Sequence, residues 1–87
     1  MTHFNAMLDE IRQMQIPIIT ITNINNRSRE RNYIIIADGI DKVTVFVFDD
    51  DNLRFVNSLM MDFPSAITYY SQKVLNNPGS TFKLMSF

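Results

Sequence analysis

Three runs of β-branched and aromatic residues constrain the fold of this chain more than any other feature. They occupy residues 16–22, 33–37 and 43–48. Such residues favour the pleated surface of a β-strand, so each run predicts a strand. In the third run both odd and even positions are apolar. A strand with one solvated face would alternate more cleanly, so both faces of the sheet must be covered, either by helices on both or by helices on one and a second protomer on the other.

The links between these runs predict how the strands pair. Asp38 and Gly39 open a short link between the second and third runs, and an Asp-Gly pair favours a tight hairpin. The second and third strands are therefore expected to be antiparallel neighbours. The longer polar link of residues 23–32 is expected to form another hairpin with an extended tip.

Helical periodicity lies on both sides of the strands. Apolar spacings of three and four predict an amphipathic helix over about residues 3–14, capped by Thr2 and ended before Pro17. The same spacing predicts a second helix over residues 53–60. The aspartates at 49–51 would lie at its N-terminus, where the helix dipole favours negative charge.

The C-terminal third is expected to add helix and then an extended segment. Pro64 is expected to interrupt the helical pattern, and the spacing resumes over residues 67–75. Residues 76–79 are stop signals, and residues 81–87 can form a fourth strand or a short arm. The expected fold class is α+β, as one domain over residues 1–87 with an antiparallel three- to four-stranded sheet, an N-terminal helix and one or two C-terminal helices, in the order αβββα(α)β.

Catalytic chemistry has few residues to use in this chain. There is no cysteine, the single histidine is His3, and neither Gly39 nor Gly79 lies in a phosphate-binding sequence context. The serines have no histidine other than His3 with which to form a nucleophilic pair. The sequence therefore predicts a protein that is not an enzyme, with no catalytic residue and no cofactor.

The compartment is predicted from what the chain lacks. No apolar run reaches the ~18 to 20 residues that a bilayer-spanning helix needs. Residues 1–5 do not combine a basic segment with a following apolar stretch, as a secretory signal would. A cytoplasmic protein without a membrane partner is expected.

The aspartates raise the alternative of a magnesium or calcium site, because hard cations bind carboxylate oxygens. The candidates are Asp49, Asp50 and Asp51, with Asp38 and Asp41 near the other end of the hairpin. Consecutive aspartates at a strand end point in different directions, and no loop with ligand spacing follows them. A helix cap at Asp51 accounts for them better, so no metal site is predicted.

The arginines are concentrated in one place. Three of the five are Arg27, Arg29 and Arg31, although the formal charge of the whole chain is −1. If the link continues the hairpin ribbon, these alternate residues point to one side, and Tyr33 shares their parity. Guanidinium forks beside an aromatic ring suit the phosphates and a stacked base of single-stranded RNA. The alternative is a solvated polar loop in which Glu30 offsets one arginine.

Three further cations would add to this nucleic-acid-binding surface if the fold gathers them, namely Lys42, Lys73 and Lys83. A homodimer is expected because a second protomer is a candidate cover for the apolar strands. A two-fold dimer would present the arginine cluster twice, despite the net acidity of the chain.

Methionine and phenylalanine supply the candidates for a dimer or partner contact. Six methionines are present, and most fall on the predicted helix and strand stripes, where they would fill gaps in a small core. Three residues fall outside these stripes and are the interface candidates: Met61, Phe63 and Phe87.

The character of the whole chain resembles that of the small accessory proteins of large tailed phages. The shared features are its brevity, the lack of cysteine, a high content of isoleucine, asparagine, phenylalanine and methionine, and one αβββα-type domain without catalytic residues. Within that class it is similar to the phage RNA-binding inhibitors of toxin–antitoxin ribonuclease defence. The resemblance implies a small dimeric anti-defence protein that places basic side chains on RNA, and the cluster of residues 27–31 is the feature that could carry that role.

Two functions are therefore expected as alternatives. The first is a homodimer that binds RNA through its arginine-rich loop and so antagonises a host antiviral system. The second is a protein–protein inhibitor that occludes a host enzyme, through the acidic edge at 49–51 or through the surface of Met61, Phe63 and Phe87. A structural role in a virion is a third class that the sequence leaves open.

Overall fold

The structure is a computed structural model that describes residues 2–50, 52–77 and 79–87. Its elements form one antiparallel sheet of five strands, in the spatial order β4-β3-β2-β1-β5, with two helices. This confirms the α+β class with an antiparallel sheet. The elements, in chain order, are α1 (Thr2–Arg12), β1 (Ile18–Asn25), β2 (Arg31–Asp38), β3 (Val43–Asp49), β4 (Asn52–Leu59), α2 (Phe63–Leu75) and β5 (Ser80–Ser86).

One helix packs on each face of the sheet, which explains why both faces of the strands are apolar. On the α1 face, Leu8 and Ile11 of the helix pack with Ile35 and Phe48 of the strands. The cluster on the α2 face has the following buried members: Ile19, Ile21, Ile34, Ile36, Val43, Val45, Val47, Ala66, Tyr70 and Val74. Of the two arrangements that the sequence left open, the structure has helices on both faces.

The two helices lie over different parts of the sheet. α2 packs against β2, β1 and β5. α1 approaches β2 and β4, and its side chains also pack with Phe48 of β3 and with Ile18 at the start of β1. Ile18 and Thr20 at the start of β1 are buried on the α1 face, and this face is open farther along, where Thr22 and Ile24 are half-buried and Lys83 is exposed. On the α2 face, Leu59 of β4 packs against the core and Phe55 is half exposed. Neither helix has the length and apolarity that a membrane span requires, within the described part of the chain.

The predicted helix over residues 53–60 is wrong, because this segment is strand β4. Its apolar residues fit a helix better than a strand, since Leu53, Phe55 and Leu59 share strand parity but Asn57 interrupts it. The link from β3 is too short for anything except a hairpin turn, in which Asp50 adopts a φ of 52°. Pairing with β4 satisfies the main-chain hydrogen-bonding groups of β3. The apolar spacing of one segment gives no information about hydrogen bonds with another strand.

The acidic stretch consequently does not begin a helix. Asp49 is the last residue of β3 and Asp50 lies in the turn that follows it. The proposed cap at Asp51 lies outside the described residues, as do the side chain of Thr2 and the stop signal at Pro78. An aspartate caps a helix elsewhere in the chain, since Asp62 is the N-cap of α2.

The C-terminal segment forms one helix and one strand. Pro64 lies in the first turn of α2, where its missing N–H costs no hydrogen bond, so it starts the helix and does not interrupt it. Residues 80–86 form β5, which pairs with β1 and settles the open choice between strand and arm. The sheet therefore has five strands, where three or four were predicted.

Candidate nucleic-acid interface

The arginine-rich link is a compact turn, here called the arginine turn (residues 26–30). Asn25 organises it, because its Oδ1 accepts hydrogen bonds from the backbone nitrogens of Arg27 at 3.0 Å and Ser28 at 3.3 Å. The carbonyl of Asn25 also accepts from Arg29 N at 2.7 Å, and Arg29 has a φ of 59°. The link does not continue the hairpin ribbon, so strand alternation orients neither Arg27 nor Arg29. Their exposed side chains project from a hydrogen-bonded turn.

The arginine turn contacts the link that precedes β5. The backbone nitrogen of Asn26 donates to the carbonyl of Gly79 at 2.9 Å. The side chain of Arg27 lies against Gly79, with its Cγ 3.4 Å from the position that a Cβ would occupy there. Gly79 has a φ of 77°, which only glycine adopts readily. Two turns that are distant in sequence therefore meet at one end of the sheet, here called the arginine end.

Two rows of side chains cross the open part of the α1 face near the arginine end. The strand register places Arg31 beside Ile24 and Ile24 beside Thr81. The next row brings Tyr33, Thr22 and Lys83 together in the same way. Paired residues in an antiparallel sheet share a face, so Arg31 and Lys83 lie on one surface, with their Cα atoms about 12 Å apart at standard strand spacings.

A shallow groove of about 340 Å³ lies on this open surface. Its floor is formed by Thr22 and Ile24 of β1, beyond the part of that strand that packs with α1, and its outer side is formed by β5. The lining combines aliphatic, hydroxyl and cationic side chains, which are Thr22, Ile24, Thr81, Phe82, Lys83 and Met85. Sequence reasoning missed the threonines, Ile24 and Met85 as surface residues, because the β1–β5 pairing joins segments about sixty residues apart and has no local signal.

Tyr33 has a structural role that limits its use as a stacking platform. Its ring lies 5.0 Å from the ring of Phe4, centroid to centroid, and it packs against the α1-face core. It is half-buried. A base at this position can reach only the part of the ring that faces away from α1.

The fold does not gather all three lysines. Lys42 lies in the β2–β3 turn, at the opposite end of a strand that spans about 25 Å. Lys73 is on α2, on the other face of the sheet, with its Nζ 4.7 Å from the ring centroid of Tyr69. A hydrogen bond with Tyr69 raises the pKa of Lys73 above its usual value. Lys83 alone joins the arginines.

An acidic turn lies next to the basic one. Asp50 N donates to the carbonyl of Arg31 at 2.8 Å, which brings the β3–β4 turn to the arginine end. Arg54 Nη1 lies 3.4 Å from Asp49 Oδ2, and both side chains are largely exposed. Arg54 thus balances the negative charge of Asp49, whereas the exposed side chain of Asp50 adds negative charge beside Arg31.

The three interface candidates do not form one surface. Met61 and Phe63 line a groove of about 450 Å³ at the end of the sheet opposite the arginine end, and Phe63 also packs against the α2-face core. Phe87 lies elsewhere, under the guanidinium of Arg12 at 5.1 Å. The groove has two strongly exposed apolar side chains that the sequence did not single out, Ile40 and Met60.

Comparison with known proteins yields no relative. The chain matches no family model, no curated protein and no solved structure. Among residues 2–50, 52–77 and 79–87, no three histidine, aspartate or glutamate side chains converge as metal ligands would. The arginine end offers electrostatic attraction, hydrogen-bond donors and an open sheet surface.

Proposed function

We propose that this protein is a non-enzymatic RNA-binding homodimer whose binding surface is the arginine end and the open part of the α1 face. The residues that contact RNA are Arg27, Arg29, Arg31 and Lys83, with the exposed part of Tyr33. In line with the resemblance to phage accessory proteins, binding antagonises a host antiviral system in the host cytoplasm.

The observation that carries this proposal is the meeting of the arginine turn with the start of β5. It brings three arginines and Lys83 to one region of an otherwise acidic chain. Guanidinium forks match phosphate geometry in a way that a lysine ammonium does not. The surface that adjoins them is the open part of the α1 face, with the aliphatic side chains of Ile24 and Met85 available to unstacked bases.

Single-stranded RNA fits this surface better than a duplex. The groove is shallow and its aliphatic floor can contact the faces of bases, which a duplex keeps stacked and inaccessible. Only four cations are gathered here, so affinity is expected to be modest and strongly dependent on salt.

The test is a titration of fluorescently labelled single-stranded RNA at several salt concentrations. The variant Arg27→Gln/Arg29→Gln/Arg31→Gln is compared with Arg12→Gln/Lys42→Gln/Lys73→Gln, which removes the same formal charge from parts of the chain remote from the arginine end. The first variant should lose at least tenfold in affinity at low salt. Its slope of log K against log salt should fall by ~0.7 for each lost phosphate contact.

The control variant decides between a local site and a general charge effect. If both variants lose affinity equally, binding depends on net charge and the site assignment is wrong. If the wild-type protein does not bind RNA at low salt, where electrostatic attraction is strongest, the proposed function is wrong.

A second candidate function is favoured by the apolar groove at the opposite end. Ile40 is 99% exposed and Met60 is equally accessible, beside Met61 and Phe63. Exposed apolar clusters of this kind mark surfaces that bind proteins. In this alternative the protein occludes a host enzyme, so Ile40→Ser/Met60→Ser should abolish capture of that enzyme and leave RNA binding unchanged. Charge reversal at Asp49 and Asp50 tests the acidic version of the same alternative.

A further inference from the structure

β4 is an edge strand of unusual composition. It is eight residues long, and its outer side pairs with no strand in the part of the chain that the structure describes. Three of its apolar side chains are about half exposed: Leu53 at 44%, Phe55 at 50% and Val56 at 50%. An edge of this kind presents main-chain donors and acceptors together with apolar side chains, which is a template for a further strand.

The other edge strand, β5, has a feature that protects an edge from pairing with another chain. β5 carries Lys83 at its centre, and a central lysine opposes pairing with another chain. β4 contains neither lysine nor proline. Its one charged residue, Arg54, lies at the bulge near the start of the strand and is already paired with Asp49 of the same protomer.

We propose that β4 pairs antiparallel with β4 of a second copy of this chain, so that two sheets join into one of ten strands. The proposal deepens the homodimer of the proposed function by naming its interface, and it does not depend on RNA binding. The predicted interface residues Met61, Phe63 and Phe87 lie outside it.

Charge and side-chain chemistry favour a second copy as the occupant. A two-fold axis perpendicular to the sheet keeps the α1 faces of both protomers on the same side. Phe55 then lies opposite the partner subunit's Phe55, on the α2 face, where its side chain is half exposed. Aromatic cross-strand pairs are among the more stabilising ones. Because Arg54 is the only charge in the strand, this register opposes no like charges.

The dimer has a consequence for RNA binding. Antiparallel pairing of the β4 strands places the two arginine ends at diagonally opposite corners of the joined sheet, both on the α1 side. Each protomer therefore keeps a separate site. The expected stoichiometry is two short RNA strands per dimer.

The absence of cysteine from the chain allows a direct test of the register. Phe55→Cys introduces a single thiol, and antiparallel self-pairing at this residue brings the two Cα atoms to about 5 Å, within disulfide range. Mild oxidation should convert most of Phe55→Cys to a covalent dimer. Leu84→Cys, at a residue 43% exposed on β5, should form little covalent dimer under the same conditions, because the proposed interface keeps the two β5 strands apart.

The oligomeric state supplies the second test, in the absence of RNA. Sedimentation should give twice the monomer mass of 10.2 kDa, with dissociation in the micromolar range because a strand-to-strand contact is small for a stable interface. Phe55→Lys should be monomeric and Leu84→Lys dimeric, with folding of each verified by circular dichroism.

The outcomes separate this proposal from RNA binding. A wild-type protein that is monomeric at 100 µM, or a Leu84→Cys variant that cross-links as well as Phe55→Cys, overturns the β4 interface. If Phe55→Lys does not fold, the comparison of Phe55→Cys with Leu84→Cys tests the β4 interface. Monomeric Phe55→Lys that still binds RNA supports the β4 interface and leaves the RNA site intact, whereas a dimer that binds no RNA overturns only the proposed function.

Discussion

The backbone nitrogen of Asp50 donates a 2.8 Å hydrogen bond to the carbonyl oxygen of Arg31. This contact joins the acidic β3–β4 turn to the first residue of β2 and so to the arginine end. The surface that we assign to RNA therefore has a carboxylate at its border. A negative charge in this place weakens phosphate binding and limits the affinity of the site.

Removal of that charge should strengthen RNA binding. Asn tolerates the left-handed backbone that Asp50 adopts, so Asp50→Asn keeps the turn. A unit charge at ~10 Å in water is worth a roughly twofold change in affinity at low salt, and the gain should vanish in high salt. Asp41→Asn, in the turn at the opposite end, should leave RNA affinity unchanged. Equal gains from both variants would contradict the placement of the site.

The structural and functional roles of Tyr33 can be separated by two substitutions. Tyr33→Phe keeps the ring that packs 5.0 Å from Phe4, so stability should not change. Tyr33→Ala removes it and should lower the free energy of unfolding by roughly 1 to 3 kcal/mol, less than a fully buried aromatic costs, because Tyr33 is half-buried. Denaturant titration measures both. If Tyr33→Ala weakens RNA binding without lowering stability, the ring acts as a stacking platform alone.

The cap of α2 makes stability depend on pH in a defined direction. Hydrogen bonds from Ser65, chiefly from its backbone nitrogen at 2.8 Å, lower the pKa of Asp62 below 3.8. The stabilisation is therefore complete above pH 3.8 and is lost as the pH falls through the lower pKa of the folded state. Asp62→Ala should reduce the thermal midpoint by a few degrees at pH 7, and the difference should narrow in acid.

Asp62→Asn is the matched control for this effect. Asn keeps an oxygen that can accept the hydrogen bond of the helix N-terminus and does not titrate. Its thermal midpoint should fall less steeply with decreasing pH than that of the wild-type protein. Parallel pH curves for the two proteins would show that the carboxylate of Asp62 does not contribute.

Gly79 should be the least replaceable residue of the link before β5. Alanine at a φ of 77° is strained, and its Cβ would meet the Arg27 side chain at 3.4 Å. Gly79→Ala should therefore cost about 1 kcal/mol of unfolding free energy and shift Arg27. Gly79→Asn should cost less because asparagine tolerates this backbone region. Equal stability of both variants, measured by denaturant titration, would contradict the strained geometry.

Local sequence patterns were sufficient to predict most of the helices and strands. The β-branched runs predicted β1, β2 and β3, the Asp38-Gly39 link predicted the β2–β3 hairpin, and helical spacing predicted α1 and the body of α2. Each of these depends on residues that are close in sequence. The segment over residues 53–60 was predicted wrongly because its apolar spacing fits a helix, whereas its strand alternation is broken by Asn57 and by the bulge at Arg54. Pairing with β3 makes it a strand.

The candidate site was predictable only in part. Arg27, Arg29 and Arg31 were identified from their clustering in the sequence, and the structure keeps them at one end of the sheet. Their expected alternation depended on a ribbon that the Asn25 hydrogen bonds replace with a turn. Only the strand order shows that Lys83 lies near the arginines and that Lys42 and Lys73 do not.

The sequence by itself determined the α+β class and the need to cover both faces of the sheet, since composition and period act through neighbours along the chain. The tertiary structure decided which strands lie at the edges, that β5 pairs with β1, and that Gly79 meets Arg27. The last two of these contacts join residues fifty or more positions apart. Their free energy comes from burial and main-chain pairing that exist only once the chain has closed on itself, so no local pattern in the sequence reports them.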